Sequence, residues 1–256
     1  MPDNDALSPE MFDETYAQIS SAPQTNALFD LVLGPFPANV EPFSLVPREG
    51  LDRVFTELRL QPGDHLVDLC CGRGGIGLWF AAESGARLTG VDFSPGAIAE
   101  ASRRADLFGS RSRASFVVAD AANTPLPAKT ADAIMCIDAL NLIPEKDGLL
   151  DEMARILRPG GRVVITAWEQ RNSETKDLPP EYSITDVGAL VEAAGLRVLV
   201  REECSHWLEL QQTFFQHVIA EDGDDVEPAL HSLAEEGHDF LTHAASIRRL
   251  LLVAIV

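Results

Sequence analysis

Residues 66–77, Leu-Val-Asp-Leu-Cys-Cys-Gly-Arg-Gly-Gly-Ile-Gly, restrict this chain more than any other stretch. Leu66, Val67, Leu69 and Cys70 form an apolar run with a single acidic break, the pattern of a parallel strand buried on both faces. Gly72, Gly74 and Gly75 then allow positive φ and a closer backbone approach to a ligand than any side chain permits. A helix starting near Gly75, through Leu78, Trp79, Phe80 and Ala81, aims free N–H groups and a positive dipole end at that turn. Such a turn alone does not choose between dinucleotide sites, phosphate loops and ordinary crossovers. The spacing of the downstream strands and acids narrows the choice.

Strands are expected at 87–91, 114–119, 133–137 and 162–168, with helices at 97–108 and 146–157 between them. Strands separated by helix-length crossovers build a parallel, doubly wound sheet, with ligands beyond the strands' carboxyl ends. Upstream, 11–20, 24–33 and 47–60 read as helices, and the first eight residues as unstructured. The proline-rich segment 35–44 carries Phe36 and Phe43, so it reads as an ordered loop, either a flap over a site or packing for the N-terminal segment. After a polar loop over 169–180 come a helix at 185–194 and a strand at 196–201. Two successive helices at 205–220 and 226–244 then interrupt the alternation before an apolar strand at 247–256.

Asp68, Asp92, Asp120 and Asp138 lie in or just beyond successive strands. An acid ending the second strand can accept hydrogen bonds from both hydroxyls of a ribose, and Phe93 beside Asp92 offers a face to a base. Asp120 with Ala121 suits the amino and ring-nitrogen edge of adenine. Asp68 would repel a pyrophosphate but favour the cationic end of an amino acid. A dinucleotide is disfavoured, and the G-x-G-x-x-G expected of a nicotinamide enzyme is absent.

These residues resemble the class I S-adenosylmethionine-dependent methyltransferases, in particular the small-molecule branch of bacterial natural product biosynthesis. The family's glycine motif resembles residues 67–75, its ribose motif 90–95, its adenine motif 118–121, its fourth-strand motif 131–140 and its turn before strand five 157–161. Cys70-Cys71-Gly72 departs from the family pattern by replacing the first glycine with cysteine, which tightens the turn. The resemblance covers about 47–168 and implies a Rossmann-like, seven-stranded, mostly parallel sheet with an antiparallel last strand. The whole reads as one methyltransferase domain: an N-terminal helical or lid segment (1–46), a cofactor-binding core (47–204), a helical substrate-cap insertion (205–245) and the last strand (246–256).

The implied cofactor is S-adenosyl-L-methionine, held by Asp68, Cys70, Gly72, Gly74, Asp92, Phe93, Asp120, Ala121 and Asp138. The implied reaction is methyl transfer to O, N or C of a small, partly apolar metabolite. The alternative is a cyclase or other non-methylating enzyme on the same fold. His206 and Asp138 are the candidate catalytic residues, His206 because its ordinary pKa suits a general base. Phe43, Asn141, Trp168, Trp207 and Phe214 are candidates to face the substrate. No His or Cys pair has metal spacing, so no metal is expected.

Forty acids against 20 bases give a formal net charge of −20, with no basic tract to follow a phosphate backbone, so nucleic acid and anionic membranes are excluded as partners. An acidic N-terminus and the lack of a long apolar run point to a cytoplasmic protein, monomer or homodimer, whose partner is a small molecule.

Overall fold

A computed structural model describes residues 8–20, 22–172, 178–223 and 226–256. The expectation for residues 1–7, and the middle of the polar loop at 173–177, lie outside them. The helices are α1 (Pro9–Ser20), α2 (Pro23–Leu33), α3 (Arg48–Leu58), α4 (Gly75–Ser84), α5 (Pro95–Arg104), α6 (Lys146–Ile156), α7 (Val187–Ala193), α8 (Ser205–Glu221) and α9 (Pro228–His243). The strands are β1 (His65–Leu69), β2 (Arg87–Asp92), β3 (Ala114–Val118), β4 (Ala131–Ile137), β5 (Leu157–Gln170), β6 (Arg197–Glu203) and β7 (Ile247–Ile255).

The strands form one sheet in the order β3-β2-β1-β4-β5-β7-β6. β1 pairs in parallel with β2 and β4, and β7 runs antiparallel to both its neighbours. The chain therefore reverses between β1 and β4, and the switch point lies at the carboxyl end of β1. Every residue of β1 is buried, whereas edge strand β3 is half-exposed.

Two apolar layers cover the sheet. One centres on Val67, Ile134, Met153, Ile165 and Val191, the other on Leu51, Leu78, Phe80, Met135 and Leu251. A third cluster, including Phe29, Trp168, Phe214, Phe215 and Phe240, joins α2, α8 and α9 to β5. This third layer closes over the carboxyl ends of the strands. It is what the helical pair between β6 and β7 builds.

The main departure from the sequence reading is at strand five, which starts at Leu157 instead of residue 162. Leu157 already pairs with Ala131; Gly160, at φ 81°, then turns the chain, and pairing resumes with Arg162 opposite Ala133. The proline-rich segment is ordered, and it both packs on the core and lines cavities. Phe36 packs on two of the clusters, while Phe43 and Ser44 line cavities at the strand ends.

This strap also explains why Gly75 opens α4. A Cβ there would overlap the Val40 carbonyl oxygen, which is a backbone atom and cannot swing aside. Gly75→Ala is expected to lose about 2 kcal/mol in urea unfolding, because direct overlap with a backbone atom puts overpacking at the upper end of its usual range, about 3 kcal/mol, against the ~1 kcal/mol that Ala gains over Gly in a helix. An increase in stability would show that the strap does not bear on α4.

Candidate active site

The glycine turn is built from alternating backbone hands. Cys70, Gly72 and Gly74 have φ of 61°, 51° and 74°, and Gly74 caps α4. Cys70 takes a left-handed conformation that costs a non-glycine residue about 1–2 kcal/mol. Asp92 holds this turn: one carboxylate oxygen accepts from Gly72 N at 2.8 Å and the other from Ser94 N at 3.0 Å. Burial raises the Asp92 carboxyl above its ordinary value, against the pull of these N–H donors, and Asp13 adds repulsion.

Asp68 is buried beneath the turn, where burial and then neighbouring Asp92 push its carboxyl well up. It lines a small cavity with Cys70, Cys71, Gly72 and Arg73. Arg73 is paired with Glu41 at 3.3 Å, so the Asp68 carboxylate has no cation of its own among the described residues. A Cβ at Gly77 would stand 2.6 Å from Asp68 Oδ2, so glycine keeps that face clear.

A larger cavity of about 680 Å³ opens beside it, sharing Phe43, Ser44, Cys70 and Ile137. Asp92, Phe93, Asp120 and Ala121 stand on its wall at the ends of β2 and β3. Asp120 Oδ1 accepts from Ala122 N at 2.9 Å, and its side chain is exposed. From α1, Phe12 meets Phe93 edge-on at 5.4 Å between ring centres, and Asp13 accepts from Ser94 Oγ. α1 thus covers the Asp92 end. The opposite wall carries Phe29, Trp168, Tyr182 and Leu233, with Glu181, Glu236 and Asp239.

Residues 66–161 match the family model described as "Methyltransferase domain". The chain carries a class I S-adenosylmethionine-dependent methyltransferase domain. It is 31% identical over 131 residues to the methyltransferase GfsG of Streptomyces halstedii, covering 51% of this chain and 47% of that protein. The chain spans about half the length of the first curated relatives it matches. Among solved structures, the [4+2]-cyclase SpnF is similar with a TM-score of 0.77 at 23% identity, covering 98% of this chain and 96% of that one. A methyltransferase of Geobacter sulfurreducens in complex with S-adenosylhomocysteine has a TM-score of 0.62 at 20% identity, covering 91% and 98%. These likenesses speak for the fold.

The donor set fits the methyltransferase cofactor. An uncompensated buried carboxylate suits an ammonium, a carboxylate at the end of β2 suits a ribose, and a glycine turn at a helix N-terminus admits a close approach. Among the described residues, no group of three or more His, Cys, Asp and Glu is placed to hold a metal ion, and no helix is long and apolar enough to cross a membrane.

The structure sorts the remaining candidates. His206 lies 61% exposed on α8, beside Glu49 at 3.7 Å and Glu209 at 3.4 Å, and lines neither cavity. His206 takes the solvent side of the first turn of α8, and the structure does not bring it to either cavity. Trp207, one residue on, points inward but packs against Gly50 and Val46 in the core, and Phe214 is fully buried against Phe29 and Phe215. Neither lines the cavity. Asn141 is also buried, clamping β5 through Trp168 N and O at 3.0 and 2.9 Å. Phe43 and Trp168 do face the cavity.

Asp138 lines the cavity, but its carboxylate is fully committed. Oδ1 accepts from Thr166 Oγ1 at 2.7 Å and Arg249 Nη2 at 2.6 Å, and Oδ2 from Ser44 Oγ at 2.9 Å and Leu45 N at 3.2 Å. These four contacts anchor the carboxylate between β5, β7 and the strap. Arg249 is wholly buried, lies 4.3 Å over the Trp168 ring, and shares the Gln211 Oε1 acceptor with Trp168 Nε1. The sequence reading missed Arg249, Gln211 and the acids of α9. An arginine inside the apolar run 247–255 was the available signal, since a fully buried Arg requires a partner.

Glu236 is exposed toward the cavity, yet the protein packed around that space partly desolvates its carboxyl and, with Glu181 and Asp239 nearby, pushes it up to about 7.

Asp138→Ala leaves the Arg249 cation buried without a counter-charge and is expected to cost about 3–5 kcal/mol in chemical denaturation; a loss below ~1 kcal/mol would mean that water replaces the carboxylate. Because Glu236 holds its proton up to about pH 7 when folded but only to about its ordinary 4.5 when unfolded, the folded state binds the extra proton in between, and stability falls as pH rises through that window. Glu236→Gln is expected to flatten the decline in Tm across it. An unchanged profile would show that this carboxyl titrates normally.

Proposed function

We propose that this chain transfers a methyl group from S-adenosylmethionine to a nucleophilic oxygen, nitrogen or carbon of a small, partly apolar metabolite held in the larger cavity. The observation that carries the reading is the continuity of that cavity, which runs from the carboxylates at the ends of β2 and β3 to an apolar wall built by α2, α9 and β5. A donor held at the first end and an acceptor held at the second would share one enclosed space.

When bound, the cofactor supplies an electrophilic methyl on a sulfonium, which is the hard part of the chemistry. The chain's own residues supply position. Asp92 would take the ribose hydroxyls, Asp120 and Ala121 the adenine edge, and Asp68 the ammonium, whose charge its buried carboxylate lacks. Phe12 and Phe93 cover the nucleoside end. Phe43 on the strap and Trp168, braced by Arg249 and Gln211, keep water out and hold the acceptor in line. Where the acceptor must lose a proton, the carboxylates on the α9 wall are the groups that face it.

Calorimetric titration with S-adenosylmethionine and S-adenosylhomocysteine tests the reading. Both are expected to bind, and Asp92→Asn to weaken them roughly 10–100-fold, the worth of a charge-assisted hydrogen bond of about 1.5–3 kcal/mol. Failure of a folded sample to bind either ligand would reject it. Product mass then separates methyl transfer from ring formation on the same fold, since only the first adds mass to the acceptor.

A further inference from the structure

The larger cavity has a one-sided charge. Seven of its lining residues are acidic, Asp92, Asp120, Asp138, Glu145, Glu181, Glu236 and Asp239, and among the described residues that line it none is Lys, Arg or His. Three of the seven are accounted for. Asp92 and Asp120 stand at the cofactor end, and Asp138 is neutralised by Arg249, whose guanidinium also donates to Gln211. Glu145 immediately precedes α6.

The other three converge on the wall opposite the cofactor end. Glu236 and Asp239 are one helical step apart on α9, and Glu181 comes from the turn between β5 and α7. No cation pairs with Glu236 among the described residues. His243 approaches Asp239 at 3.7 Å, but its Nδ1 is engaged with the Asp239 backbone carbonyl at 2.9 Å, and it does not line the cavity. Around the three lie Tyr182, Leu233 and Trp168. A wall with three acids open to the cavity, and no counter-charge among the described residues, repels an anionic guest. A guest that brings its own positive charge supplies that counter-charge.

We propose, building on the methyltransferase reading of this site, that its acceptor is an apolar metabolite carrying an amine, whose cationic group is received by Glu236 with Glu181 and Asp239, and that phosphorylated or carboxylated acceptors are excluded. Specificity here arises as much from repulsion as from attraction. The raised Glu236 carboxyl agrees with the lack of a counter-charge, and an ammonium beside it would return it to the ionised form.

Three probes with one apolar body and different head groups test this: octylamine, 1-octanol and octanoate, titrated by calorimetry with and without S-adenosylhomocysteine. The amine is expected to bind at least about tenfold more tightly than the alcohol, and the carboxylate not at all. Glu236→Gln should erase most of the amine preference while leaving the alcohol's affinity within about twofold; Asp239→Asn, on an exposed position, should reduce it by a smaller factor and serves if the first variant does not fold. Equal binding of amine and octanoate, or an amine-to-alcohol ratio unmoved by both variants, would overturn the proposal. The two readings fail separately: loss of S-adenosylhomocysteine binding with the amine preference intact strikes the methyltransferase reading, and intact cofactor-product binding without the preference strikes this one.

Discussion

One buried ion pair, Asp138 with Arg249, ties the end of β4 to β7 across β5 and gathers the strap and α8 around it. Asp138 ends β4 in a left-handed conformation at φ 54°, and Arg249 sits on β7, opposite Trp168 of β5. Thr166 of β5 donates to the same carboxylate, Ser44 and Leu45 of the strap take its other oxygen, and Gln211 of α8 is held by the far side of the guanidinium. Three strands, the strap and the cap therefore share a single charge pair. The low dielectric that makes the pair expensive to desolvate also makes it intolerant of losing either partner. Its service is positional: it fixes where Phe43, Ser44 and Trp168 stand, and those residues set the shape of the space between the two ends of the cavity.

A second carboxylate plays a similar part on the other side of the switch point. Asp92 accepts from the backbone of both the glycine turn and its own following turn, so the ends of β1 and β2 are locked at hydrogen-bonding distance before any ligand arrives. Its burial then forms part of the site's design. The carboxylate is dry, oriented and only partly satisfied in charge, and a diol is a better replacement for lost water than the apolar side chains around it. Asp68 is the extreme of the same condition, with no salt-bridge partner among the described residues. These two acids carry strain that an amino-acid nucleoside bearing positive charge would relieve, which is why the glycine turn reads as a cofactor site instead of a plain crossover.

Much of this was legible in the sequence, and the rest was not, for a physical reason. β1, the glycine turn and the acids at the strand ends are local patterns: apolar runs, glycine spacing and a carboxylate following each strand. The apolar period also marked α8 and α9 correctly as two helices before the last strand. What local pattern could not give was partnership. Asp138 and Arg249 are 111 residues apart, and Gln211 reaches Arg249 across 38. His206 and Trp207 both lie in the first turn of α8, but adjacent helical residues point about 100° apart. One therefore went to solvent and the other to the core, with neither reaching the cavity. Phe214 serves as core, whereas Phe12, in a helix with no motif, closes the Asp92 end of the cavity.

The charge of the chain is where local and global readings meet. A net −20 read from composition says only that polyanions are poor partners. The fold distributes that excess unevenly, placing bases where they are spent on acids, as with Arg249 on Asp138 and Arg73 on Glu41, and leaving Glu181, Glu236 and Asp239 on an apolar wall without such relief. Glu236 and Asp239 are open to the water of the cavity beside Tyr182, Leu233 and Trp168, and a guest that displaces that water meets their charge with little screening. The polarity of the cavity is thus a property of the fold and not of the composition, and it is the fold that turns a general aversion to anions into a preference for a cation at one wall.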